Sequence, residues 1–184
     1  NLFMTKRIAE EVATLGGRVF YVGGFVRDKL CNRENKDIDI EVHGISVSTL
    51  EGILDTLGKR MDRGESFGIY ALKGYDIDIA MPRKEKLIGK GHKDFEVMVD
   101  PYLGYEKAAR RRDFTLNALM MDVLSEEVID GFGGLNDLKE GVLRHVDEVT
   151  FVEDPLRVLR AAQFASRFHY KVADETIKLC STMD

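Results

Sequence analysis

Cysteine is scarce in this chain. Cys31 and Cys180 are the two it has, and they lie far apart without forming a C-x-x-C pair. That argues against a disulfide scaffold or a thiolate zinc site and suits a reducing compartment, the cytoplasm. Long apolar runs are missing as well. Stretches such as Ala118–Met121 are far too short to cross a bilayer, and no signal-peptide pattern is visible. No membrane partner is expected. A basic excess is also absent: the formal net charge is -5. This weighs against a strongly basic nucleic-acid binder but leaves room for a local basic patch. His43, His92, His145 and His169 have no metal-ligand spacing, and none is given a catalytic role. No internal repeat, low-complexity tract or flexible linker interrupts the chain.

What is present is an ordinary globular composition, with 44% hydrophobic and 32% charged residues. A length of 184 residues suffices for one good core, or for one domain and the start of another. Asn1 is not a methionine and the chain stops in mid-pattern at Cys180–Asp184, so a segment of a longer protein is expected.

Apolar spacing predicts a helix over Met4–Leu15 ended by Gly16-Gly17, a strand over Arg18–Val22 and a short helix over Gly24–Leu30. Asp37–Val42 alternates strictly, with Asp37, Asp39 and Glu41 on one face and Ile38, Ile40 and Val42 on the other. A helix over Ser46–Leu57 and a hairpin of Gly68–Lys73 with Tyr75–Ala80 around Gly74 follow. Pro82–Lys93 reads as a basic loop and Tyr105–Leu119 as helical. Glu127–Ile129 and Val142–His145 read as short strands around the turn-rich Gly131–Gly134. Asp154-Pro155 opens a helix to about Tyr170, because Asp caps well and Pro suits the first helical position. Another helix begins near Ala173.

The chemistry concentrates in a few places. Tyr21–Asp28 carries a glycine pair between a strand and a helix start, and backbone N–H groups at a helix start attract phosphate. Arg27 lies one turn in and can add a charge-assisted phosphate contact; equally, it can be a surface arginine paired with a nearby carboxylate. Asp37 and Asp39 share one strand face, close enough to share a cation. Like charges there repel unless something neutralises them, yet an exposed polar strand face gives the same pattern. Asp76-Ile77-Asp78-Ile79 repeats the alternation. Asp78 is then a third carboxylate, a candidate metal ligand or base at an attacking hydroxyl, if its strand neighbours that of Asp39. Otherwise it belongs to another solvated edge.

The run Val22–Leu30, followed by Asp37-Ile38-Asp39, resembles the first motif of class II tRNA nucleotidyltransferases and bacterial poly(A) polymerases, members of the DNA polymerase β-like nucleotidyltransferase superfamily. Arg111–Leu119 is similar to their second motif. Asp130–Leu138, with Leu143-Arg144, is similar to the third, and Glu153–Ala161 to the nucleotide-selecting motif on the neck helix. The four stand in family order from about position 19 to 170. The resemblance implies an α/β (α+β) fold: a nucleotidyltransferase head over 1–145, with a small mixed sheet backed by helices, then the start of a helical neck over 146–184. It implies Mg²⁺ held by Asp37 and Asp39, triphosphate contacts from Gly24 and Arg27, phosphate and ribose contacts from Arg112 and Asp113, and base and nucleotide contacts from Asp154, Arg157 and Arg160. One departure is Gln163-Phe164, where many members have arginine. Glutamine lacks the charge, so no phosphate role is given to position 163.

The last motif also makes physical sense unaided. Cytosine and adenine both present an exocyclic amino donor beside a ring-nitrogen acceptor. An Asp can accept from the first and an Arg can donate to the second. Uracil and guanine leave both contacts unpaired or repulsive, and unpaired buried polar groups are how a site rejects a near-isostere. Asp154 and Arg157, at i and i+3, are neighbours on a helix; an N-cap and a Glu153–Arg157 pair would explain them equally. Arg110–Arg112 and the basic residues of 83–93 are candidates for RNA contact or solvated surface. The expected reaction is CCA addition: transfer of C and A from CTP and ATP to an RNA 3′ end, most simply that of tRNA. Poly(A) polymerase and CC- or A-adding specialists share the motifs.

Overall fold

A computed structural model describes residues 1–63, 68–87 and 95–183. In chain order the elements are α1 (Leu2–Thr14), β1 (Arg18–Tyr21), α2 (Gly24–Leu30), β2 (Ile38–His43), α3 (Val47–Leu57), β3 (Arg60–Asp62), β4 (Ile69–Leu72), β5 (Ile77–Ala80), β6 (Arg83–Leu87), β7 (Phe95–Val99) and α4 (Tyr105–Arg110). A 3-10 turn (Thr115–Asn117) follows, then β8 (Met120–Asp122), β9 (Val128–Ile129), α5 (Gly134–Glu140), β10 (Val142–Leu143), α6 (Glu148–Phe151), α7 (Leu156–Phe168), β11 (Lys171–Val172) and α8 (Asp174–Ser181). Two compact units form. Unit 1 comprises Asn1–Gly104 with Met121–Val128, and unit 2 comprises Tyr105–Met120 with Ile129–Asp184.

The main sheet runs β3-β4-β5-β2-β1-β8-β9. β3·β4, β4·β5, β2·β1 and β1·β8 pair antiparallel, whereas β2 and β5 pair in parallel with Ile38 opposite Ile77, Asp39 opposite Asp78 and Ile40 opposite Ile79. A parallel pair needs a crossover, and α3 with β3 and β4 supplies it. Ile38, Ile40, Val42, Ile77 and Ile79 are all buried. Each such side chain contributes about 1.5–3 kcal/mol. Ile8 and Val12 of α1 and Leu50 and Leu54 of α3 are also fully buried. Ser46 caps α3 by accepting the Thr49 N–H at 3.2 Å.

Unit 2 has its own core of Phe114, Leu116, Leu143, Phe151 and Ala161, flanked by Leu138, Phe164, Tyr170 and Leu179. β10 and β11 pair in parallel beside it.

Three sequence expectations change. The basic segment at Pro82–Lys93 is not all loop: Arg83–Leu87 pairs with Phe95–Val99 in an antiparallel ribbon, Arg83 opposite Val99 and Leu87 opposite Phe95. A backbone ladder needs no apolar alternation, so the run Arg-Lys-Glu-Lys concealed it; residues 88–94 lie outside the described residues. The helix expected over Tyr105–Leu119 stops at Arg110. Asp113 takes the Phe114 N–H on its own side chain at 2.7 Å, and Phe114 turns extended to bridge His145. Such local side-chain bonds compete with the helix. The turn-rich stretch before Val142 leads into a helix, α5, that the glycines masked.

Candidate active site

The glycine pair does two different jobs. Gly23 has φ 66° and ψ −145°, a conformation open only to glycine. A Cβ on Gly24 would stand 3.1 Å from Arg27 Nη2, so the missing side chain lets the Arg27 guanidinium fold back over the first turn of α2. Arg27 is buried at 8% exposure. Its Nε donates to Asp28 Oδ1 at 3.1 Å, and Asn35 Nδ2 donates to Asp28 Oδ2 at 2.7 Å. Asp28 and Asn35 therefore aim the arginine, which is no freely solvated surface residue.

Asp37 is exposed just before β2, and Asp39 is half-buried within it. Asp78 stands opposite Asp39 across the parallel β2·β5 pair, a separation of about 4.8 Å between strands. The third carboxylate thus lies on the neighbouring strand. Its side chain, however, is engaged: Arg63 Nη1 donates to Asp78 Oδ1 at 3.0 Å. Among the described residues no three His, Cys, Asp or Glu side chains converge as a metal cage. Farther along β2, Glu41 and His43 are buried and bonded to each other at 2.7 Å, so Glu41 does not join the exposed carboxylates.

In unit 2, Arg160 bridges two carboxylates. Its Nη2 lies 3.0 Å from Asp154 Oδ2 and its Nη1 3.8 Å from Asp113 Oδ2. Asp154 also accepts the Leu156 N–H at 3.0 Å and so caps α7. Arg157 does not pair with Asp154. Its two terminal nitrogens donate to the carbonyls of Thr150 and Arg111, the latter at 2.8 Å, and its Nε is buried without a hydrogen-bond partner. Burial holds the Arg157 pKa below its usual value, against the opposing pull of Asp113 and Asp154; the guanidinium stays charged. Arg112, half-buried in the turn after α4, stands next to Asp113 in sequence.

The third motif is architecture. Asp130 accepts the N–H groups of Gly134 at 2.8 Å and Leu135 at 3.1 Å, starting α5 from Gly133 in a left-handed conformation. A Cβ on Gly134 would stand 2.2 Å from the Thr115 carbonyl oxygen, so α5 rests directly on the second motif. Thr115 Oγ1 donates to Asp137 Oδ2 at 2.5 Å, and Arg144 Nε donates to the same oxygen at 3.2 Å.

Unit 1 therefore holds Gly24, Arg27, Asp37, Asp39 and Asp78, and unit 2 holds Arg112, Asp113, Asp154, Arg157 and Arg160. Sequence reasoning missed Asp28, Asn35, Arg63 and Asp137. Asp28 next to Arg27 was a visible signal, whereas Arg63 had none.

The sheet, its carboxylate-bearing strands and the helices behind them are those of a nucleotidyltransferase head. The model of the poly A polymerase head domain matches residues 19–144, and the chain belongs to that family, the class II branch that includes CCA-adding enzymes. It is 41% identical to the multifunctional CCA protein of Nitrosococcus oceani over 90% of this chain and 39% of that one. With the Nitrosomonas europaea protein of the same name it is 40% identical, over 88% of this chain and 38% of that one. A CCA-adding enzyme in apo form superposes with a TM-score of 0.81 at 33% identity, over 98% of this chain and 43% of the other. The Thermotoga maritima CCA-adding enzyme complexed with tRNA gives 0.77 at 31%, over 97% and 40%. The chain spans about two fifths of the length of these curated relatives. No helix among the described residues is long and apolar enough to cross a membrane.

Proposed function

We propose that the protein adds C and A from CTP and ATP to the 3′ end of tRNA, releasing pyrophosphate. The observation that carries this reading is the register of Asp39 against Asp78 beside Asp37, with Arg27 folded over Gly24 nearby in sequence. Relatives described as complexed with tRNA, ATP and CTP support the substrates. The division into a head over 1–145 and a neck from 146 is part of the same proposal, supported by the extent of the head-domain match. A cytoplasmic location is likewise proposed.

The donor set fits a hard divalent cation. Mg²⁺ takes oxygen ligands and uses one or two carboxylates plus substrate phosphates, keeping waters elsewhere; Asp37 and Asp39 are two carboxylates with solvent access. We propose Mg²⁺ on these two, where it supplies neutralisation of phosphate oxygens and acidification of the acceptor hydroxyl. The chain's own contribution is positioning and charge. Arg27 and Gly24 hold the triphosphate, Arg112 and Asp113 the phosphate and ribose, and Asp78 is a third metal ligand or the base at the acceptor hydroxyl. Asp154 accepts from the base amino group, and Arg157 donates to the ring nitrogen. For that, Arg157 must exchange a carbonyl for the base, and Arg160 must share Asp154. Positioning and electrostatics carry most of the rate in phosphoryl transfer.

The experiment is incubation of the full-length protein with tRNAs ending before CCA, after CC and complete, with each NTP. CCA addition requires CTP then ATP, and then stops. Unlimited ATP incorporation on any RNA would make it a poly(A) polymerase, and a single-step pattern would make it a specialist.

A further inference from the structure

Arg63 is the one residue whose side chain reaches the third carboxylate in the hydrogen bonds and ion pairs described, and no motif contains it. Its position follows from register. Met61 stands opposite Ala71, and Ala71 opposite Asp78. Cross-strand partners share a face and residues two apart share a face, so Arg63, Ala71, Asp78 and Asp39 all lie on one side of the sheet. The Arg63 main-chain N–H continues the ladder to the Ile69 carbonyl at 2.8 Å. The guanidinium then spans β4 and reaches Asp78 Oδ1 at 3.0 Å. Both partners are about half exposed, 57% and 51%, so the pair is weak enough to open.

We propose that Arg63 is the counter-cation of the carboxylate site: it neutralises Asp78 beside Asp39 in the resting protein and yields Asp78 when a divalent cation binds. The inference rests on the metal reading above. Two carboxylates in register on adjacent strands repel, and a guanidinium on one of them removes that repulsion. The same contact occupies Asp78 Oδ1. Metal binding and the Arg63–Asp78 pair therefore compete for one carboxylate. Arg63 acts through Asp78 as a positioning residue, and its effect vanishes when Asp78 has no charge.

The test measures Mn²⁺ binding to the full-length protein by electron paramagnetic resonance of the free ion. The parent, Arg63→Met, Asp78→Asn, the double variant and Asp39→Asn are compared. Arg63→Met is expected to tighten Mn²⁺ roughly two- to fivefold at low salt, the range open to an exposed ion pair, and to lose that gain in about 1 M salt. In the Asp78→Asn background it should gain nothing. An unchanged midpoint for Arg63→Met, with the parent binding and Asp39→Asn not, overturns the counter-cation role alone. So does an equal gain in both backgrounds, which would be long-range repulsion. A parent that binds no Mn²⁺, or an Asp39→Asn variant that binds as the parent does, overturns the metal reading and this inference with it.

Discussion

The two units use their acidic residues in opposite ways. In unit 1 the candidate site carboxylates Asp37, Asp39 and Asp78 stand at the start of β2 and on β5, where the strand face meets solvent. The fold there is held by Ile and Val on the other side of the same strands. In unit 2 the carboxylates are themselves the fasteners. Asp113 closes its own turn, Asp130 starts α5, Asp137 ties Thr115 to Arg144, Asp147 caps α6 at 2.9 Å and Asp154 caps α7. A sheet with an apolar face can leave its polar face for chemistry. A cluster of short helices has many unsatisfied ends, and its polar residues are needed to meet them. Substitutions at Asp37, Asp39 and Asp78 should thus damage activity and spare stability, while those at Asp130, Asp137 and Asp147 should do the reverse.

The largest effect expected is that of Asp39→Asn or Asp37→Asn. Nucleotide addition should fall by about 10³-fold or more, some 4 kcal/mol of transition-state stabilisation. Tm should hold, because relieving carboxylate repulsion does not weaken the fold. Near-normal single-turnover addition by either folded variant would break the comparison at its strongest point.

Two glycines sharpen it. Gly134→Ala drives a methyl into a backbone carbonyl 2.2 Å away, which cannot swing aside. A loss of about 3 kcal/mol is expected, or roughly 6–12 °C in thermal melts. Gly24→Ala meets the movable tip of Arg27 at 3.1 Å and should leave Tm nearly unchanged while weakening triphosphate binding. Equal Tm losses in the two variants would erase the distinction.

Asp154→Ala tests a place where unit 2, as at Asp113, is asked to do both jobs. The preference for ATP and CTP over GTP and UTP should erode by about 1–3 kcal/mol, by analogy with side-chain readout of base edges. If the full-length parent binds all four nucleotides equally, the base-pairing role is gone and Asp154 is a cap alone.

The smallest effect concerns His145, buried and bonded through Nδ1 to Thr176 Oγ1 at 2.7 Å. Burial lowers its pKa, with Arg144 adding to the shift and Glu148 opposing it. The unfolded chain then takes up the proton first, so this residue's contribution is present above about pH 6.5 and declines as pH falls below it. His145→Gln should flatten the loss of Tm between pH 7.5 and 5.5. An identical slope in both proteins would locate the acid sensitivity elsewhere.

The sheet was largely legible because period-two alternation in Asp37–Val42 and Tyr75–Ala80 is a local signal. The glycine turn, α2 and α3 were legible from caps and breakers. The β6·β7 ribbon was not, because its charged strand carries no apolar rhythm. Asp37, Asp39 and Asp78 were legible as carboxylates on strand faces, but their adjacency depends on a pairing between residues 39 positions apart. Arg63, and the carbonyls that occupy Arg157, were invisible for a different reason: a long side chain's destination is decided by what else lies within its reach.

The parallel pairing of β2 with β5 works as a length gauge that is blind to the chain between its two arms. Ile38 and Ile40 on one arm, and Ile77 and Ile79 on the other, are all buried. A slip of one position would send Asp78 inward and an isoleucine out to water, a swap the interior refuses. The loops between the elements that join β2 to β5 can therefore differ in length across related chains, as surface connections do, while the two aspartates keep their spacing.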